Sequence, residues 1–149
     1  MEDVKTLLAH VRHQLDEAGA EQIPMPDLEA RELTACALGI DRRLLPALGA
    51  RSVTASEREK TEALVARRLS GEPLAYVLGE WDFYGITLRV TPDVLIPRSD
   101  TERLCELAIE RVQAMQNPRV LDLCSGSGCI ALALLHEVPA AQAVAVDVS

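Results

Sequence analysis

Residues 119–147 constrain the fold more than any other stretch. Arg119-Val120-Leu121-Asp122-Leu123 reads as a strand, Cys124-Ser125-Gly126-Ser127-Gly128 as a loop, Cys129 to Glu137 as a helix, and Ala143-Val144-Ala145-Val146-Asp147 as a second strand. Two strands joined through a helix run parallel, because a parallel pair needs a long crossover connection. Parallel sheets bury both faces, so a single β-α-β crossover cannot complete a core by itself. The 149 residues are therefore expected to be part of a longer protein, ending inside an α/β domain.

The remainder of the chain changes character twice. Val4, Leu7, Leu8, Val11, Leu15 and Ala18 recur at helical spacing before Gly19, which predicts an amphipathic helix over 3–18. After Pro24 and Pro26, a second helix is expected from Asp27 to Leu38, stopped by Gly39, with Leu28, Leu33 and Cys36 on its buried side. Asp41 to Leu48 reads as a short third helix bearing Pro46. Thr54-Ala55-Ser56-Glu57 is a capping-box pattern, and the helix behind it carries acids early and Arg67 and Arg68 late, before Gly71.

The four aromatic residues, Tyr76, Trp81, Phe83 and Tyr84, fall together in the next segment, where residues 81–90 suggest a hairpin. Ser99-Asp100-Thr101-Glu102 is a second capping-box candidate, opening a helix whose apolar positions are Leu104, Ala108, Val112 and Met115 and which halts at Asn117-Pro118. The expected fold is α+β, with a helical bundle over 1–75, a β-hairpin linker over 76–98 and the start of an α/β domain over 99–149.

Charge narrows the partners. The net charge is −8 and both halves are acidic, whereas nucleic-acid binding leans on a basic face that neutralises phosphates. Direct nucleic-acid binding is not expected. Met1-Glu2-Asp3-Val4-Lys5 lacks a basic n-region and apolar h-region, and the uncharged run from Leu123 to His136 is too short to span a bilayer. A cytoplasmic protein without membrane contact is expected. Cys36, Cys105, Cys124 and Cys129 contain no Cys-x-x-Cys pair, and His10, His13 and His136 are not at zinc-finger spacing from them, so no metal is expected.

The chemistry centres on the glycine loop. Gly126 and Gly128 sit between a strand and a helix, where backbone N–H groups can approach a ligand unobstructed by side chains. Asp147 ends the next strand about 20 residues on, the distance at which a carboxylate accepts hydrogen bonds from a ribose diol. Together they indicate a nucleoside-containing cofactor. Gly126-x-Gly128-x-x-Ala131 also fits the dinucleotide fingerprint, which would make the protein an NAD-dependent oxidoreductase. Asp122 discriminates: an acid within the first strand suits a cofactor that carries an ammonium and no phosphate, such as S-adenosyl-L-methionine.

Three blocks in order, Gly71-Glu72-Pro73-Leu74-Ala75-Tyr76-Val77-Leu78-Gly79-Glu80-Trp81-Asp82-Phe83-Tyr84-Gly85, Val94-Leu95-Ile96-Pro97-Arg98-Ser99-Asp100-Thr101-Glu102 and Val120-Leu121-Asp122-Leu123-Cys124-Ser125-Gly126-Ser127-Gly128, resemble the PrmC/HemK family of peptide chain release factor glutamine methyltransferases. The resemblance implies a helical bundle, a hairpin linker and a Rossmann-like methyltransferase domain. It further implies methyl transfer from S-adenosyl-L-methionine to the side-chain amide of the Gln in the Gly-Gly-Gln motif of bacterial release factors.

Position by position, it places Cys124, Ser125, Gly126, Ser127 and Gly128 against the methionine part of the cofactor and Asp147 on its ribose. Asp122, Phe83, Arg98 and Thr101 are further residues for the same pocket. Cys124 stands where the family usually has Gly, which requires a negative φ or a relaxed loop. Ser99 replaces a usual second Pro and is expected to cap the following helix. The family's Asn-Pro-Pro-Tyr motif is absent from these 149 residues, so no catalytic residue is expected in this chain and the fragment alone is expected to be inactive. The competing readings are a glutamine methyltransferase of a large-subunit ribosomal protein, whose loop also begins Cys-x-Gly-Ser-Gly-Cys, and a non-catalytic protein-binding module.

Overall fold

A computed structural model describes residues 2–148, which contain six α-helices and two two-stranded sheets and are α+β. The chain divides into two compact units that meet between Leu78 and Gly79.

The first unit is helical. Helix α1 (Val4–Glu17) starts where the Asp3 carboxylate accepts from the Thr6 amide at 2.8 Å. Helix α2 (Pro26–Leu38) opens with proline in its first turn, carries Asp27 and Glu29 there, and ends on Gly39 at φ 64°, whose amide returns to the Ala35 and Cys36 carbonyls. Helix α3 (Ala55–Leu69) has the expected capping box in full: the Glu57 amide donates to Thr54 Oγ1 at 3.2 Å and the Thr54 amide to Glu57 Oε2 at 2.9 Å. A five-residue helix α4 (Leu74–Leu78) follows, so Tyr76 is helical and lies outside the hairpin connector in which the sequence placed it. The Arg67 guanidinium donates to the Tyr76 and Val77 carbonyls at 3.0 and 3.2 Å, groups that a helix end leaves without an internal partner.

Leu7, Val11 and Leu15 of α1 pack with Ile23, Ala30, Leu33, Val65 and Val77, and a second cluster joins Val4, Ala35, Leu38 and Leu45. Three further expectations need correction in this unit. Leu28 and Cys36 face solvent, because the buried positions of α2 are Glu29, Ala30, Leu33, Thr34, Ala35, Ala37 and Leu38. Glu29 is tolerated inside because Arg68 reaches it from α3, Nε to Oε2 at 2.6 Å and Nη2 to Oε1 at 3.2 Å, while Nη2 also donates to the Gln22 carbonyl at 3.0 Å. The third correction is Asp41 to Leu48, which forms only a 3-10 turn over Arg42–Leu44 and then successive turns. Asp41 caps the Arg43 amide at 2.8 Å, and Pro46 has no N–H with which to continue a helix.

In the second unit, strands β1 (Glu80–Phe83) and β2 (Ile86–Arg89) form the expected antiparallel hairpin, with Trp81 opposite Leu88 and Phe83 opposite Ile86. Tyr84 (φ 45°) and Gly85 (φ 79°) make the two-residue turn, both left-handed as a tight hairpin requires. Helix α5 (Ser99–Gln113) buries Cys105, Ile109 and Val112, whereas Leu104 and Met115 are exposed, so its inward face is rotated from the one expected. The proposed capping box does not form. Arg98 occupies the cap without a side-chain bond, and Ser99 is the first helical residue, the position that proline favours. Glu102 instead accepts from the Tyr84 amide at 3.1 Å and ties the hairpin turn to α5.

Strands β3 (Arg119–Leu123) and β4 (Gln142–Val146) pair in parallel, Leu121 with Val144 and Leu123 with Val146, connected by α6 (Cys129–Glu137). Ala131, Ala133 and Leu134 of α6 are buried, while Leu121 (61% exposed), Leu123 (65%), Val144 (59%) and Val146 (47%) leave one sheet face open. Burial pushes the Cys105 thiol up to about 11, with Cys129, Glu102, Glu137 and Asp122 adding to the shift. Because its folded value is raised, the thiol favours the fold below about 9 and withdraws that support as pH rises from there through about 11. Maleimide labelling at pH 8 is accordingly expected to modify exposed Cys36 and Cys124 rapidly and to spare Cys105 and Cys129, as peptide mass mapping would show. Rapid labelling of Cys105 would contradict this placement.

Candidate functional site

The loop between β3 and α6 is held by its own backbone and by the end of β4. Cys124 (φ 58°), Gly126 (φ 53°) and Gly128 (φ 73°) are all left-handed, so every second residue turns the chain. The Ser125 amide donates to the Val146 carbonyl at 3.1 Å, the Gly128 amide to the Ser125 carbonyl at 2.8 Å, and the Leu132 amide to the Gly128 carbonyl at 2.9 Å. Asp147 supplies the remaining clasp: Oδ2 accepts from the Gly126 amide at 2.7 Å and Oδ1 from the Val148 amide at 2.7 Å. Nothing lies within 4 Å of where a Gly126 side chain would begin, so this glycine is required by its φ and leaves the space above it open.

This geometry changes how the loop can meet a ligand. The amides of Ser125, Gly126 and Gly128 are spent inside the protein, so they do not form a cradle aimed outward at phosphate oxygens. What the site presents is carboxylate chemistry at two points. Asp147 lies just past β4 and presents its carboxylate to the loop through these two amides. Asp122, on β3, has a buried Oδ2 with no hydrogen-bond partner among the described residues. An uncompensated buried carboxylate oxygen is costly and is satisfied well by a cationic donor.

Cys124 keeps its left-handed φ, contrary to the expectation that a non-glycine residue there would adopt a negative φ or relax the loop. The strain costs about 1–2 kcal/mol in a residue with a side chain. Cys124→Gly is expected to raise the urea midpoint slightly, whereas Cys124→Val is expected to lower stability by about 1–2 kcal/mol, since branched residues tolerate this region least. Equal midpoints for the two variants would contradict the assigned backbone.

The other candidates are placed as follows. Ser127 is half-buried within the loop, Phe83 is 2% exposed and is a core residue of the second unit, Thr101 is half-buried in the first turn of α5, and Arg98 is exposed immediately before it. Among the described residues no hydrogen bond joins Phe83, Arg98 or Thr101 to the glycine loop. Sequence reasoning missed Glu102 as the link between hairpin and α5; its capping-box spacing pointed to a different partner. Among the described residues no group of three His, Cys, Asp or Glu side chains is arranged to hold a metal ion, and no helix is long and apolar enough to cross a membrane.

Comparison with known proteins agrees with this architecture. Residues 6–79 match the family model described as the PrmC N-terminal domain. A release factor glutamine methyltransferase of Bradyrhizobium diazoefficiens is 41% identical over 149 residues, covering 97% of this chain and 48% of the relative. The proteins of the same name from Bordetella pertussis and Vibrio cholerae are 46% identical over 125 residues and 38% identical over 144, covering 84% and 97% of this chain and 46% and 49% of those relatives. The chain thus spans about half the length of the curated relatives it matches. With likeness running through both the helical unit and the glycine loop, the chain belongs to the PrmC/HemK family.

Proposed function

We propose that the full-length protein transfers a methyl group from S-adenosyl-L-methionine to the side-chain amide nitrogen of the Gln in the Gly-Gly-Gln motif of bacterial peptide chain release factors. The observation that carries this reading is the run of relatives with that printed name, alike along nearly the whole chain. In this reading the helical unit docks on the protein substrate, the hairpin connects, and the β3-α6-β4 crossover opens a Rossmann-like domain in the cytoplasm.

The residues fit the cofactor. The orphaned Asp122 oxygen suits an ammonium, Asp147 suits a ribose diol, and the loop 124–128, clasped to Asp147, leaves room at Gly126 for close approach. The cofactor supplies a methyl group on a sulfonium sulfur, and the transfer is an in-line displacement that rests on positioning and electrostatics. An amide lone pair is delocalised, so the substrate nitrogen needs acceptors for both its hydrogens. In the family the Asn-Pro-Pro-Tyr motif would provide these, and methyl transfer by residues 1–149 alone is not expected.

Incubating full-length protein and radiolabelled S-adenosyl-L-methionine with a release factor, its Gly-Gly-Ala variant and ribosomal proteins tests this. Label is expected on the release factor and lost with the Gln. Label on a large-subunit ribosomal protein alone would assign the other substrate, and label on none would remove the enzyme reading.

A further inference from the structure

Seven of the ten Lys and Arg residues in the helical unit are matched to a carboxylate. Arg12, Arg42, Arg43, Arg51, Arg58, Arg67 and Arg68 each pair with an acid. Lys5, Arg31 and Lys60 make no ion pair among the described residues. Two of those three converge on one cavity between α1 and α2.

Lys5, Leu8 and Arg12 lie on one face of α1, and Asp27, Ala30 and Arg31 on the facing stripe of α2, at the i, i+3, i+4 spacing that aligns side chains along a helix. Arg12 and Asp27 bridge the cleft at 2.9 Å. Lys5 stands two turns before Arg12, about 10 Å along the axis, and Arg31 one turn after Asp27. The cleft thus carries an excess of two positive charges in a chain whose net charge is −8. Its volume is about 190 Å³, below the roughly 300 Å³ at which small-molecule pockets begin and suited to one or two side chains.

We propose that this cleft receives a carboxylate-bearing segment of a protein partner, with Lys5 and Arg31 pairing its Asp or Glu side chains and Leu8 and Ala30 flooring it. The proposal deepens the docking role given above to the helical unit and rests on that reading for the partner's identity. Single carboxylates on a folded protein surface can enter such a cleft, whereas the acidity of the surrounding chain repels an extended polyanion.

The test is fluorescence anisotropy with full-length protein and a labelled peptide bearing two Glu residues in an otherwise uncharged Gly-Ser sequence, with a labelled single-stranded RNA as the alternative ligand. Lys5→Glu/Arg31→Glu is expected to weaken peptide binding about tenfold and to abolish its salt dependence. Lys60→Glu, the same charge change on α3 outside the cleft, is expected to leave binding unchanged, and circular dichroism confirms folding of each variant. Equal peptide binding by wild type and the double variant, or RNA binding tighter than peptide, would overturn the proposal.

A methyl-transfer arm separates the two readings. If the wild type methylates a release factor, the double variant is expected to raise KM for the intact factor with kcat unchanged, and an unchanged KM would overturn the proposal. If the wild type methylates no release factor, the functional reading fails while the peptide result still decides the cleft.

Discussion

Replacing Asp147 with Ala in the full-length protein is expected to weaken S-adenosyl-L-methionine binding about 100-fold, with Asp147→Asn falling between it and wild type. Two effects combine. The carboxylate is the proposed acceptor for the ribose diol, and hydrogen bonds to a charged group contribute about 1.5–3 kcal/mol each. The same carboxylate clasps the Gly126 amide at 2.7 Å, so Ala also loosens a loop with three left-handed residues, leaving the Ser125 amide on the Val146 carbonyl to hold it to the end of β4. Asn retains one acceptor oxygen and can keep one of the two functions. Calorimetry reports the affinity, and amide exchange at Gly126 without cofactor separates the effects. Faster exchange in Asp147→Ala is expected, and unchanged exchange would show that the clasp does not hold the loop.

The largest expected effect on stability is at Arg68. Arg68 and Glu29 are 9% and 7% exposed, and removing one partner leaves the other charge buried without compensation. Arg68→Ala is expected to cost about 3–5 kcal/mol, read as a lower urea midpoint of the helical unit. Glu29→Leu/Arg68→Met removes both charges while retaining volume, and is expected to recover most of that loss. The residual cost falls on the Gln22 carbonyl, which accepts from Arg68 at 3.0 Å and loses that donor. A double variant no more stable than Arg68→Ala would show that an uncompensated Glu29 charge is not the source of the loss.

Features legible in the sequence are those whose partners are close along the chain. The Thr54-Glu57 capping box, the Gly39 stop, the hairpin within 81–90 and the order β3, loop, α6, β4 all depend on residues within a few positions of one another. What was misread depends on distant contacts. Counting apolar residues placed Leu28 and Cys36 inward, but Arg68, 39 residues from Glu29, turns the acid into an interior residue and sets the rotation of α2.

Ser99 and Glu102 have the spacing of a local cap, and the Tyr84 amide wins the carboxylate instead. At the site, the residue types of the loop and of Asp147 were readable, and so was the misfit of Asp122 in an apolar strand. The clasp between Asp147 and Gly126 was not, because it joins positions separated by a helix and by the parallel register. That clasp is also what takes the Gly126 amide away from phosphate.

Calorimetric titration of the full-length protein with S-adenosyl-L-methionine and with NAD, in wild type and Asp147→Ala, decides the reading of the glycine loop. Saturable binding of S-adenosyl-L-methionine by wild type, its loss in the variant, and no heat with NAD are predicted. NAD binding that depends on Asp147, with no binding of S-adenosyl-L-methionine, would contradict the account.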